Sequence, residues 1–176
     1  MNALDILFRS SRFNLSKTGE HFINPCCFGE DLAAWLRSKL AEKNIETAVP
    51  YQEDWGWELP ATYGRDSYYV CMSGNADNSG SDDGEWRIIA EKRRSIWERL
   101  TGKGKIAADD ALVTLIEQIL SNEPGIRNVH RGQSGVGCCN IPVSLILCAF
   151  PWAVPPPLPS TIGGREPMRC RGCRRR

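Results

Sequence analysis

Three short segments that lie between two amphipathic helices constrain the fold of this chain most strongly. Residues 53–59 and 85–91 alternate between apolar and polar side chains, as strands with one buried face do. Residues 67–73 are apolar on both faces, so we expect this strand in the centre of a sheet. The connections, residues 63–66 and 74–84, contain glycine and polar residues, which predicts hairpins and therefore antiparallel pairing.

Both flanking helices carry one apolar stripe. The first helix is predicted over residues 30–43 and the second over residues 107–121. The stripe of the second helix consists of Leu112, Leu115, Ile116, Ile119 and Leu120. Together with a weak strand candidate at residues 4–8, the pattern predicts an α+β fold of order β-α-β-β-β-α. We expect a small antiparallel sheet of three or four strands, with the two helices packed on one face.

The composition of the chain changes after Arg131. Residues 132–176 contain five of the eight cysteines, a run of three prolines and six arginines, without helical or strand periodicity. We therefore predict an α+β domain over residues 1–131 and an irregular, poorly ordered tail over residues 132–176 that is rich in Cys, Pro and Arg.

The distribution of charge restricts the partners of the domain. Residues 1–131 contain 16 basic and 20 acidic residues, which argues against nucleic acid and favours a basic protein partner. The apolar run of the tail, residues 141–154, is shorter than the roughly 20 residues of a membrane-spanning helix, so we expect no membrane partner. The N-terminus lacks the pattern of a secretory signal, which predicts a cytoplasmic location.

The most unusual segment combines two tryptophans and three carboxylates within six residues. The candidate binding residues are Glu53, Asp54, Trp55, Trp57 and Glu58. If the segment is one strand, Trp55 and Trp57 share a face and Asp54 and Glu58 point away from the core. The tryptophans then belong either to the core or to an interface, where Trp is enriched. The acidic loop at residues 77–85 would extend the same negative surface.

A catalytic alternative rests on Glu53 or on Cys27. Cys27 precedes the first helix, where a thiol can become reactive, and His21 is near enough in the chain to act as its base. Packing of Cys27 beneath the helix is the other interpretation. Cys170 and Cys173 have the spacing of half a zinc site but no second pair, so we expect neither a metal nor another cofactor.

Two segments of the chain resemble a set of small bacterial proteins. The resemblance lies in residues 22–25 with 28–33, which lead into a Trp-Leu helix, and in residues 53–57. It covers about residues 12–130 and implies a bacterial cytoplasmic protein, but no particular activity. The sequence as a whole favours a protein-binding module of the inhibitor or immunity type with a mildly acidic surface, over a small enzyme.

Overall fold

The computed structural model of the chain describes residues 3–25, 27–75 and 83–132. These residues form seven strands and three helices. In chain order the elements are β1 (Ala3–Ser10), α1 (Glu30–Ala41), β2 (Glu46–Thr47), β3 (Tyr51–Glu53), β4 (Gly56–Tyr63), β5 (Asp66–Asn75), β6 (Gly84–Lys92), α2 (Ile96–Thr101), α3 (Ala111–Asn122) and β7 (Arg127–Gly132). The tail predicted over residues 132–176 lies outside the described residues, except for Gly132.

The seven strands form one antiparallel sheet. Its order is β2-β4-β5-β6-β1-β7, and β3 pairs with β4 beside this path. The predicted α+β class and antiparallel pairing are therefore found, but the prediction of three or four strands is wrong. β2 and β3 contain two and three residues, and β7 is a polar strand, so none of the three carries a recognisable alternation of side chains.

One face of the sheet and the two long helices share the main hydrophobic core. The sheet contributes Leu4, Ile6 and Phe8 from β1, Trp57, Leu59 and Ala61 from β4, Tyr68, Val70 and Met72 from β5, and Trp86, Ile88 and Ala90 from β6. The helices contribute Leu32, Leu36 and Leu40 from α1 and Leu112, Ile116 and Leu120 from α3. A third helix, α2, has no buried residue, which differs from the predicted pair of helices.

The start of α3 is set by a side-chain cap. The predicted helix begins at residue 107, whereas α3 begins at Ala111. The Asp110 carboxylate accepts hydrogen bonds from two backbone N–H groups of the first turn, one of them from Leu112 at 3.0 Å. The Tyr68 hydroxyl donates to the same carboxylate at 3.0 Å, so the cap also connects the helix to β5.

The second face of the sheet has a smaller cluster and several charged groups. Ala3, Cys71 and Ile89 are buried there. The register aligns Asp5, Ile89, Cys71 and Glu58 in one row across the four strands β1, β6, β5 and β4. Tyr51 of β3 extends this row beyond Glu58. The buried Asp5 binds the guanidinium of Arg87 at 2.5 Å.

Candidate functional site

The segment predicted as one strand over residues 53–59 is a hairpin. β3 ends at Glu53, Asp54 and Trp55 form the turn, and β4 begins at Gly56. Gly56 has a φ of 155°, and a Cβ at this position would lie 2.4 Å from the carbonyl oxygen of Met72. Only glycine fits both conditions, so the close approach of β5 holds the turn in this place. The prediction of a continuous strand is therefore wrong.

The hairpin separates the two tryptophans. Trp57 is 5% exposed and belongs to the main core, where its indole N–H donates to the carbonyl oxygen of Cys27 at 3.2 Å. Trp55 is half-buried and packs against the smaller cluster on the second face of the sheet. The expectation that both tryptophans share a face is wrong, because the turn between them breaks the alternation of the strand.

Glu58 points away from the main core, on the face opposite Trp57, as predicted, but it is buried there instead of contributing to an exposed acidic surface. It is 6% exposed and lies opposite Tyr51, whose hydroxyl donates a hydrogen bond to its carboxylate. Burial raises the pKa of Glu58, and the negative charges of Glu53 and Glu91 raise it further, against the opposing effect of the Tyr51 hydrogen bond. Burial, followed by the hydrogen bond to Glu58, also raises the pKa of Tyr51.

Asp54 occupies the tip of the hairpin and is exposed, as predicted. Its carbonyl oxygen accepts hydrogen bonds from the Asn24 side chain at 3.0 Å and from the Cys27 thiol at 3.3 Å. The buried side chain of Gln52 donates to the carbonyl oxygens of Asn24 at 2.8 Å and of Cys27 at 3.1 Å. The hairpin is thus attached to the preceding loop, and this loop positions the tip.

Gln52 and Tyr51 are site residues that the sequence prediction missed. Tyr51 meets Glu58 only because the two strands pair across the turn, and a separation of seven residues carries no signal by itself. Recognition of the Asp-Trp-Gly turn would have been the one available clue.

The residues of the catalytic alternative, Cys27, His21 and Glu53, do not contact one another in the way that a nucleophile and its base would. The Cys27 thiol donates to the backbone of Asp54, and Nε2 of His21 forms a hydrogen bond with the Glu30 carboxylate at 2.8 Å. Glu53 lies beside Gly56 in the hairpin. These contacts do not bring His21 to Cys27.

The acidic loop after β5 lies mostly outside the described residues. Of its acidic residues, Asp83 binds Arg9 at 3.2 Å and Arg127 at 2.8 Å, and Glu85 binds Arg9 at 3.2 Å. The arginines keep the pKa of Asp83 below its ordinary value, against the opposing effect of its desolvation. These two carboxylates are therefore already neutralised within the chain.

Two surface cavities lie away from the hairpin. One of about 220 Å³ lies beside β2, where Glu46, Pro60 and Arg93 are among its lining residues. The other, of about 300 Å³, lies between α1 and α3 and includes Lys39 and Glu123. Both are small for a pocket that would bury a metabolite.

The described residues contain no group of three or more His, Cys, Asp or Glu side chains arranged to hold a metal ion. The helices in this part of the chain are too short and too polar to cross a membrane. Comparison with models of protein families, with curated proteins and with solved structures finds no match to this chain.

Proposed function

We propose that the chain is a protein-binding module, of the inhibitor or immunity type, whose β3–β4 hairpin receives a cationic side chain of a basic protein. The observation that carries this proposal is that the acidic side chains at the hairpin form no ion pair with another described residue. Within the described residues, no ion pair includes Glu53, Asp54, Glu58 or Glu91. By contrast, Asp5, the other buried acidic residue among the described residues, binds a cation, the guanidinium of Arg87.

The energetics of the carboxylates favour a cationic ligand. Glu58 is buried, and its neighbours Glu53 and Glu91 oppose its ionisation. Oε2 of Glu91 is buried without a hydrogen-bond partner among the described residues. An ionised carboxylate is costly to bury unless a cation pairs with it. A Lys or Arg side chain of a partner would therefore lower the free energy of the ionised forms of Glu58 and Glu91.

Exposed aromatic and apolar side chains lie in the hairpin, close before it in the chain, and in the loop that is hydrogen-bonded to it. Tyr51 is 41% exposed and Val49, two residues earlier, is exposed as well. Ile23 is exposed, and its backbone N–H binds Gln52 of the hairpin. An aromatic ring beside carboxylates suits a cation, and exposed apolar residues suit a protein interface. The proposed site therefore offers both negative charge and apolar contact area to a partner. The proposed location of the protein is the cytoplasm.

A binding measurement with a lysine-rich peptide tests this function. The double variant Glu53→Gln/Asp54→Asn removes two charges at the hairpin, and the control Glu42→Gln/Glu46→Gln removes two exposed charges elsewhere. We expect the hairpin variant to slow association by about tenfold at low salt and to weaken its salt dependence. The control should change both values little.

The comparison of the two variants shows whether the hairpin itself binds the cationic peptide. Equal effects would show that only the net charge of the chain matters, and no effect of either would show that the hairpin does not bind cations. Thermal melting of both variants verifies that the fold is intact.

A further inference from the structure

α2 is a helix that buries none of its side chains. Ile96, Trp97 and Leu100 are 80%, 75% and 74% exposed. Six large hydrophobic side chains are exposed among the described residues, and half of them lie on this helix of six residues. Ile96 and Trp97 lie four and three residues before Leu100, so both side chains are neighbours of Leu100 on the helix surface and the three form one patch.

Capping interactions within the segment stabilise α2. The Ser95 hydroxyl accepts a hydrogen bond from the N–H of Glu98, and the Glu98 carboxylate accepts from the N–H of Ser95, which together form a capping box. Gly102 ends the helix in the left-handed conformation, with a φ of 68°. The helix is therefore formed before any partner covers it, which reduces the entropy lost on binding.

Basic residues lie within α2 and directly after it in the chain. Arg99 lies within α2, and Lys103 and Lys105 follow it closely; all three are exposed. No ion pair between described residues includes any of them. The acidic residue of the helix, Glu98, is occupied by the capping box, whose hydrogen bonds lower its pKa. The exposed apolar side chains of α2 thus lie in a segment whose exposed charged residues are basic and unpaired among the described residues.

We infer that α2 docks into an apolar groove of a second protein whose rim carries carboxylates. Trp and Arg are the residues that most often dominate binding energy, and the basic residues of the segment select a negative partner. A bilayer is the weaker interpretation, because amphipathic helices that bind membranes present a far longer apolar face than six residues provide. The proposed occupant of α2 is opposite in charge to the proposed ligand of the hairpin, so the chain would bind two different protein surfaces.

Site-specific photocrosslinking in the full-length chain tests this inference. A photoreactive benzoylphenylalanine replaces Trp97 in one variant and Leu100 in another; both side chains are exposed, so we expect melting temperatures like that of the native chain. Cells that produce each variant are irradiated, and the crosslinked peptides are identified by mass spectrometry. We expect a protein adduct whose crosslinked segment is rich in Asp and Glu.

Charge reversal near the patch separates a specific contact from chance capture. Arg99→Glu/Lys103→Glu should lower the adduct yield by about tenfold, whereas the control Lys17→Glu/Lys43→Glu, which makes the same change of net charge at exposed positions, should not. Equal loss in both, no loss in either, or no adduct at all would overturn the inference.

The other occupants of the patch are distinguished in the same experiment. An adduct with a second copy of the chain would show that the patch mediates self-association and would overturn the inference of an acidic partner. Vesicles of phosphatidylserine and phosphatidylcholine provide a second arm: sedimentation of the native chain with them, lost in Trp97→Ala, would assign the patch to an anionic membrane and overturn the inference.

Discussion

Glu58 is the acidic residue of the hairpin whose ionisation is most affected by its surroundings. It is buried, accepts a hydrogen bond from Tyr51 and is opposed by Glu53 and Glu91. Its neutral form is therefore favoured in the folded state more than in the unfolded state. Trp57, next to it in the chain, points to the opposite face of the sheet and into the main core. Adjacent residues of β4 thus lie on opposite faces of the sheet, one in the main core and one in the row of charged and apolar residues on the second face.

The raised pKa of Glu58 predicts that it opposes folding at neutral pH. As the pH rises above the ordinary value of 4.5, the unfolded chain loses this proton first, so the free energy of unfolding falls until the pH has passed the pKa of the folded state. Glu58→Gln keeps an acceptor for Tyr51 and removes the charge. We expect the stability of this variant relative to the native chain to increase as the pH rises above 4.5, as measured by urea denaturation.

The exposed Glu46 provides the control for this titration. Glu46→Gln should give a curve of unfolding free energy against pH that runs parallel to that of the native chain. A parallel curve for Glu58→Gln as well would contradict the electrostatic role of Glu58.

At the scale of elements, α3 is held in place by three kinds of contact. Its apolar stripe enters the main core, and Asp110 caps its first turn. Arg131 of β7 binds the Glu117 carboxylate at 2.9 Å and the Thr114 hydroxyl at 3.1 Å. Because Arg131 belongs to β7, its hydrogen bonds to Glu117 and Thr114 connect β7 to α3, and the two elements stabilise each other.

Ile116 is the test residue of this arrangement. It is fully buried in the middle of the stripe, so Ile116→Ala should lower the free energy of unfolding by about 2–5 kcal/mol. Gln118, two residues further along, is exposed, and Gln118→Ala should change stability by less than about 0.5 kcal/mol. Chemical denaturation measures both, and similar values for the two variants would show that the stripe is not core.

At the scale of the whole molecule, β7 completes the sheet at the edge next to β1. Gly132 lies opposite Asp5 and Arg127 opposite Arg9, with an irregularity in the register between them. The boundary predicted at residue 131 therefore falls within the last strand, one residue before its end. All the described residues belong to one compact unit.

Shortened chains test the contribution of β7. We expect residues 1–132 to unfold in one cooperative transition, since the seven strands and the main core described here lie within these residues. Residues 1–126 lack β7 and leave β1 at the edge, so their melting temperature should be lower by at least about 5 °C. Equal melting temperatures, or the absence of a cooperative transition in residues 1–132, would contradict this role.

The sequence pattern alone predicted the parts of the fold that depend on local periodicity. The first helix begins at Glu30 as predicted, and the cores of β5, β6 and α3 coincide with predicted segments. A helix that buries one stripe has apolar residues three and four positions apart, and a strand that buries one face has them at alternate positions. Such elements can be recognised from the sequence without knowledge of the elements that they pack against.

The tertiary structure alone decided the candidate site. β7 is held by backbone hydrogen bonds to β1, which is distant in sequence, and the two short strands β2 and β3 are held by such bonds to β4. Backbone hydrogen bonds leave little pattern in the order of side chains. The hairpin depends on the carbonyl of Met72, which leaves space only for glycine at position 56. That one contact turns Trp55 away from Trp57 and brings Tyr51 to Glu58, because a side chain's face is determined by the pairing of its strand and not by its spacing in the chain.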